Sequence, residues 1–199
     1  MKVVLGTKNQ GKIKEIKDIF KKEGIDVEIL GLDLFPEMWN IEESGKTFLE
    51  NALIKAKTVA EHTKMISIAD DSGLEIDALN GAPGIYSARF AGPEADDEKN
   101  NKKVLDLLKD VPEEKRTARF RCVIVAYRPD GKYISAEGTW EGRITLYPRG
   151  DKGFGYDPIF EDLELGLTAA EMEPEEKNKR SHRYKAIKKL LKIWHKLFE

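Results

Sequence analysis

Met65-Ile66-Ser67-Ile68-Ala69 runs directly into Asp70-Asp71-Ser72-Gly73 in a chain of 199 residues. The apolar run has the length and flanks of a buried strand. Aspartate is depleted inside strands, so two of them at the end of this one need a reason other than propensity. Two readings are open. Asp-Asp-Ser-Gly is good turn chemistry. Carboxylates just past the carboxyl end of a strand are also well placed to hold Mg²⁺ and to activate water. Beyond the pair, Leu74, Ile76 and Ala78 alternate with Glu75 and Asp77, which predicts a half-exposed strand.

Composition sets the outer bounds. The length suits a single domain, 1–199, with room for a small lobe and a real core. A formal net charge of −2 gives no basic field, so nucleic acid is not an expected partner. One cysteine, Cys122, excludes an internal disulfide framework and any multi-cysteine zinc site, and fits a cytoplasmic protein. No apolar run approaches membrane-spanning length, and the stretch ahead of Gly6 is too short for a signal peptide.

Upstream of the Asp pair, Lys2 to Gly6 reads as a short buried strand that breaks at Thr7-Lys8-Asn9-Gln10-Gly11-Lys12. Ile13, Ile16, Ile19 and Phe20 then fall at helical spacing, and Gly24 ends the helix. A helix N-terminus beside lysines is a ready phosphate site. The same loop also reads as a solvated connection with Thr7 or Asn9 as cap. It is not a Walker A motif, because the spacing is wrong and no Lys-Ser/Thr pair closes it. Asp26 to Gly31 predicts a second strand, and the stretch from Leu32 to Ile41 is irregular with an apolar trio, Phe35, Met38 and Trp39. Thr47 and Glu50 form a capping box for a helix reaching Thr63. Glu42 and Glu43 precede that helix, where they serve its dipole or a metal ion.

Downstream, Asn80-Gly81-Ala82-Pro83-Gly84 is a turn, and Asp96 caps a helix running to about Lys109. Ala118 to Arg128 and Tyr133 to Ile144, joined by Pro129-Asp130-Gly131-Lys132, form the clearest hairpin, expected in a second lobe or a sheet extension. Gly153-Phe154-Gly155-Tyr156-Asp157 places glycine beside aromatics, which lets a flat ligand approach and stack. Thr168 to Glu171 predicts a short capped helical turn. Lys177, His182 and Arg183 precede or open a final helix from Ser181, whose inner face carries Ala186, Ile187, Leu190, Leu191, Trp194 and Leu197. Strands alternating with helices make the fold mixed α/β.

Each polar cluster lies at an element end or in a loop, where α/β proteins bind ligands. Separated acids with oxygen donors point to Mg²⁺ or Mn²⁺. Separated Lys and Arg point to a multiply charged anion, and the aromatic loop to a flat ring. Together they point to a metal-dependent nucleotide phosphohydrolase.

Six blocks in order resemble the inosine triphosphate pyrophosphatase family. They are Thr7-x-Asn9-x-x-Lys12, Glu42-Glu43-x-Gly45-x-Thr47-Phe48-x-Glu50-Asn51-Ala52, Asp70-Asp71-Ser72-Gly73-Leu74, Gly81-Ala82-Pro83-Gly84-Ile85-Tyr86-Ser87-Ala88-Arg89, Gly153-Phe154-Gly155-Tyr156-Asp157-Pro158-Ile159-Phe160 and Ser181-His182-Arg183. The resemblance implies an elongated mixed central sheet flanked by helices, with two lobes around a substrate cleft. It implies hydrolysis of ITP, dITP and XTP to monophosphate and pyrophosphate. Thr7, Lys8, Asn9, Gln10, Gly11 and Lys12 would hold the triphosphate. Glu42 and Asp71 would bind Mg²⁺, with Asp71 also activating water, and Ser72 would contact substrate. Phe154, Gly155, Tyr156, Asp157, Lys177, His182 and Arg183 would form the base pocket and its rim. Homodimers are typical of the family. The competing readings are a pyrophosphatase for modified pyrimidine nucleotides and a non-catalytic nucleotide or RNA binder using the basic C-terminal helix. The acidic pairs argue against the second.

Overall fold

Caps and apolar spacing fix the helices. Asn9 caps α1 (Gln10–Lys22) by accepting from the Lys12 amide at 3.1 Å, and Ile13, Ile16, Ile19 and Phe20 form its buried face. Thr47 caps α2 (Phe48–Thr63) through the Glu50 amide while the Glu50 carboxylate accepts from the Lys46 amide. Asp96 caps α3 (Asp97–Leu107). The computed structural model describes residues 1–38 and 40–199, so the predicted role of Trp39 lies outside the described residues.

The strands are β1 (Lys2–Leu5), β2 (Glu28–Leu30), β3 (Ile66–Ile76), β4 (Thr117–Tyr127), β5 (Tyr133–Ile144) and β6 (Phe160–Asp162). They form one mixed six-stranded sheet in the order β2-β1-β3-β4-β5-β6. β1 runs parallel to β2 and β3, and β5 runs antiparallel to β6. The hairpin β4–β5 is the expected sheet extension: β4 lies against β3 and the pair carries the sheet on to β6. Two helices, α4 (Pro174–Arg180) and α5 (His182–Lys192), follow. The final helix foreseen from Ser181 thus begins one residue later, and the polar run before it is helical too. Thr168 to Glu171 keeps its cap, with the Glu171 carboxylate accepting from the Thr168 amide at 2.8 Å, but forms only a turn.

The largest departure concerns β3. It does not stop at Ala69 but continues as one strand through Asp70, Asp71, Ser72 and Gly73 to Ile76. Neither the turn nor a position past the strand end describes the Asp pair. Buried partners described below outweigh its poor strand propensity. Leu74 and Ile76 are buried with half-buried Glu75 between them, as the alternation predicts, but Asp77–Leu79 leaves the strand as a 3-10 turn and Ala78 is exposed.

The chain divides into two compact units. The first comprises Met1–Asp71, Cys122–Gly138 and His182–Glu199. Its core gathers Leu5, Ile16, Phe20, Ile68, Ile124, Ile187 and Leu190, with a smaller cluster of Val4, Leu32 and Val59. The second comprises Ser72–Arg121 and Thr139–Ser181, around Leu74, Phe120, Trp140, Tyr156 and Phe160. Each fully buried side chain of this size contributes about 1.5–3 kcal/mol relative to exposure.

In the first unit, β5 packs so closely on the start of α5 that only glycine fits at position 138. A Cβ there would lie 2.0 Å from the His182 carbonyl oxygen and 2.6 Å from the Ala186 nitrogen. Both are backbone atoms and cannot swing away. Gly138→Ala is expected to cost about 1–3 kcal/mol through overpacking, read as a lowered melting temperature. An unchanged melting temperature would contradict this packing.

Candidate active site

Adjacent residues on a strand point to opposite faces. Asp70 and Asp71 therefore enter different surroundings, and both surroundings belong to the first unit.

Asp70 is fully buried. Lys12, from the first turn of α1, places its ammonium 2.9 Å from Asp70 Oδ2, and Arg183 Nε of α5 lies 3.5 Å from the same oxygen. The Arg183 guanidinium, 2% exposed, also donates to Glu15 on α1. Two acids and two bases thus form a cluster with no net charge, Asp70 and Arg183 buried and Lys12 and Glu15 partly so. Burial alone would raise the Asp70 carboxyl, but the charges of Lys12, Arg183 and Lys55 and the hydrogen bond from Lys12 outweigh it and hold it well below the usual range. Cys122 lies 3.8 Å from Asp70, and burial and that carboxylate push its thiol far up, so it stays a neutral core group.

Asp71 is also buried but moves the other way. Its Oδ2 accepts from Asn51 Nδ2 at 3.1 Å, and its Oδ1 lies 3.9 Å from Lys55 Nζ. Lys55 reaches Glu43 as well, at 3.2 Å. Burial raises the Asp71 carboxyl and exceeds the lowering by Lys55 and Lys12, with the Glu43 charge adding to the rise. The result is a carboxylate more basic than an ordinary aspartate. Glu42 is exposed on the loop before α2, and its neighbour Glu43 is the one that turns to Lys55. A shallow pocket of about 90 Å³ opens here, lined by Gly6, Thr7, Lys8, Leu32, Glu43 and Lys55 among others.

In the sequence Asn51 stands out only as a member of the Glu42-to-Ala52 block, with no role of its own, and Lys55 not at all. Their signal was available: they sit one turn apart on the inner face of α2 among Phe48, Ala52, Ala56 and Val59. An amide and an ammonium on a buried apolar stripe need a partner. Glu15 carried no comparable sign.

The second unit holds Ser72, the loop Phe154 to Asp157, and Lys177. Lys177 is buried on α4 and donates to Asp157 Oδ2 at 2.6 Å. The same oxygen accepts from the Phe154 amide at 3.0 Å, and the Lys177 ammonium stands 4.7 Å from the Phe154 ring centroid. Tyr156 is a core anchor whose hydroxyl donates to the Ser87 carbonyl at 2.5 Å. His182 is buried at the start of α5 in the first unit. Among the described residues, no three His, Cys, Asp or Glu side chains gather into a metal-binding group.

Fold and side chains together define an α/β protein whose carboxylates and lysines suit phosphate chemistry. The chain belongs to the Ham1 family, whose model matches residues 3–193. It is 53% identical to a dITP/XTP pyrophosphatase of Nitratidesulfovibrio vulgaris, over 96% of this chain and 95% of that one. It is 50% identical to one from Desulforamulus reducens, over 100% and 98%. Among solved structures, a HAM1 protein from Coxiella burnetii aligns with a TM-score of 0.88 at 39% identity, covering 98% of this chain and 99% of that one. The Ham1 protein of Staphylococcus aureus gives 0.86 at 42%, covering 98% of each.

Removing one partner from a buried ion cluster leaves the others uncompensated, at about 3–5 kcal/mol. Asp70→Asn should therefore lower stability by an amount in that range. The sign with pH follows from the depressed folded pKa. Asp70 adds stability above its ordinary value of 3.8, and that stability is lost as pH falls toward the folded value. Denaturant titration from pH 6 to pH 2.5 should show the wild type losing its advantage over Asp70→Asn in the acid range. A constant difference would contradict the buried ionised state.

Proposed function

We propose that this chain hydrolyses the non-standard purine nucleoside triphosphates ITP, dITP and XTP to monophosphate and pyrophosphate. The observation that carries the reading is Asp71: a buried carboxylate raised in pKa, oriented by Asn51 and flanked by Lys55 and Glu43. Close relatives named for that activity support it.

Asp71 takes the proton of the water that attacks the α-phosphorus, and its raised basicity suits that task near neutral pH. Thr7, Lys8, Asn9, Gln10, Gly11 and Lys12 receive the triphosphate, with Lys12 countering charge on the leaving pyrophosphate. Ser72 contacts the substrate. Phe154 stacks on the base, Tyr156 and Asp157 hold the loop, and Lys177 donates to a 6-oxo group that adenine lacks. Arg183, buried against Asp70 and Glu15, acts by holding Asp70 and through it Lys12, and His182 precedes it at the start of α5.

The donor set fits a hard divalent cation, since the Glu43 carboxylate and the Thr7 hydroxyl that line the pocket are oxygen donors. Two carboxylates with water and substrate oxygens suffice for Mg²⁺, which rarely takes an all-protein cage. We assign Glu42 and Asp71 as its ligands, with Mn²⁺ able to substitute. When bound, the ion supplies neutralisation of phosphate charge. A cytoplasmic homodimer acting on free nucleotides completes the proposal, and light scattering tests the dimer.

A panel of ITP, dITP, XTP, GTP, ATP and modified pyrimidine triphosphates, with and without Mg²⁺, decides the substrate class. Pyrophosphate release from ITP and XTP that requires the metal supports the proposal. Inertness toward both, with turnover of pyrimidines, would move the reading to the alternative pyrophosphatase. Asp71→Asn should cut kcat by at least about a thousandfold while IMP binding persists, as expected for the group that accepts the proton. Retained turnover would remove Asp71 from that role.

A further inference from the structure

The loop proposed to carry the base is gripped from outside by α3. The Gly155 amide donates to Asp97 Oδ2 at 2.8 Å, and the Gly155 carbonyl accepts from Asn101 Nδ2 at 3.1 Å. Asp97 and Asn101 are four residues apart and so share one face of the helix. The two peptide units that meet at the Gly155 Cα are thus held by one helical turn. All of these groups lie in the second unit.

The loop needs such a grip. Gly153 and Gly155 have φ of +72° and +63°, where side chains are strained, so the backbone there is built from its least restricted residue. A Cβ on Gly153 would also strike Asp157 Oδ2 at 2.1 Å. Phe154 sits between these glycines. Its ring position depends on how the Phe154–Gly155 peptide is turned. Inside the loop, Asp157 fixes Phe154 through its amide. The next peptide is fixed by α3.

Asn101 carries a further sign. It is 7% exposed, yet its Oδ1 has no hydrogen-bond partner among the described residues. A half-satisfied buried amide is a poor choice for stability alone. Its donor bond to Gly155 is what the side chain provides. The same helix turn also holds the segment before it, since Asn100 donates to the Ala88 carbonyl and accepts from the Ala91 amide. Tyr156 closes this arrangement by donating to Ser87.

We propose that Asp97 and Asn101 are positioning residues that set the peptides on either side of Gly155, and through them the Phe154 ring and the choice of base. This rests on the reading of Phe154 and Lys177 as the base site. Neither residue touches the reacting atoms, so chemistry at the phosphates should be spared.

The test compares Asp97→Ala, Asp97→Asn and Asn101→Leu with the wild type by two measurements. One is the ratio of kcat/KM for ITP over GTP; the other is amide hydrogen exchange across residues 153–157. We expect the ratio to fall about five- to tenfold in Asp97→Ala and Asn101→Leu, the size of one lost hydrogen bond. KM for ITP should rise while kcat holds. Asp97→Asn retains an acceptor oxygen and should recover most of the ratio. Exchange should quicken in the two impaired variants. Asn101→Leu removes the half-satisfied amide, so its melting temperature should stay near that of the wild type, which a purely structural role would not allow. Quickened exchange with an unaltered ratio would overturn the link to base choice. Unaltered exchange in both variants would overturn the clamp itself. A wild type inert toward ITP, with exchange still quickened, would sink the functional reading and leave the clamp standing.

Discussion

The buried carboxylate of Asp70 is the constraint on which the first unit is built. An ionised aspartate in the middle of a strand is stable only if its charge is met at once. Lys12 and Arg183 meet it, from helices separated by some 170 residues of sequence. Glu15 then balances Arg183. Each residue of the cluster is tolerable because of the other three, so α1, β3 and α5 are tied by charge as well as by the apolar contacts around Ile16, Phe20 and Ile187. Such clusters seldom beat a well-packed apolar core in stability. Their merit here is placement: Lys12 is held at the mouth of the loop from Thr7 rather than left to wander in solvent.

Strand geometry turns two identical neighbours into two different acids. The faces of β3 alternate, so Asp70 meets three cations' fields and stays ionised, whereas Asp71 meets desolvation, an amide and one lysine shared with Glu43. Pairs of titratable groups driven apart in pKa are the usual mark of divided labour at a site. No catalytic motif is needed to see this; it follows from the period of a strand and the partners on each side.

Much of the architecture was legible in the sequence because it rests on local rules. Caps at Asn9, Thr47 and Asp96 and the spacing of Ile13, Ile16, Ile19 and Phe20 fixed three helices. The hairpin of β4 and β5 was legible from its turn. The continuation of β3 through Asp70-Asp71 was not, because its causes lie far away along the chain at Lys12, Asn51, Lys55 and Arg183. Local propensity pointed to a break, and tertiary charge pairing overruled it. β6 is three residues long, too short to show a period. Thr168 and Glu171 made their capping bond without a helix, since a cap satisfies a terminus but does not by itself supply the apolar face that sustains one. Of the site residues, Lys55 could have been found as a charge on a buried stripe, whereas Glu15 looked like any polar residue of an exposed face.

The second unit shows how a lysine's charge can be met in place. Lys177 is buried against Asp157, so its charge is largely met before any ligand arrives. Arg183 and Lys12 are neutralised by carboxylates as well, but Lys12 lies at a helix N-terminus whose field adds to its own. At Lys177 no helix start assists: it lies in the last turn of α4, where carbonyls face it. What remains there is direction, an N–H held over the face of Phe154 at a fixed height. A group of that kind discriminates by hydrogen-bond geometry rather than by net charge, which is what distinguishing an oxo from an amino substituent on a flat ring requires. The same positive charge, placed on α1, suits a polyanion. One residue type thus acquires two characters, and the difference lies in the carboxylates and helix termini around it.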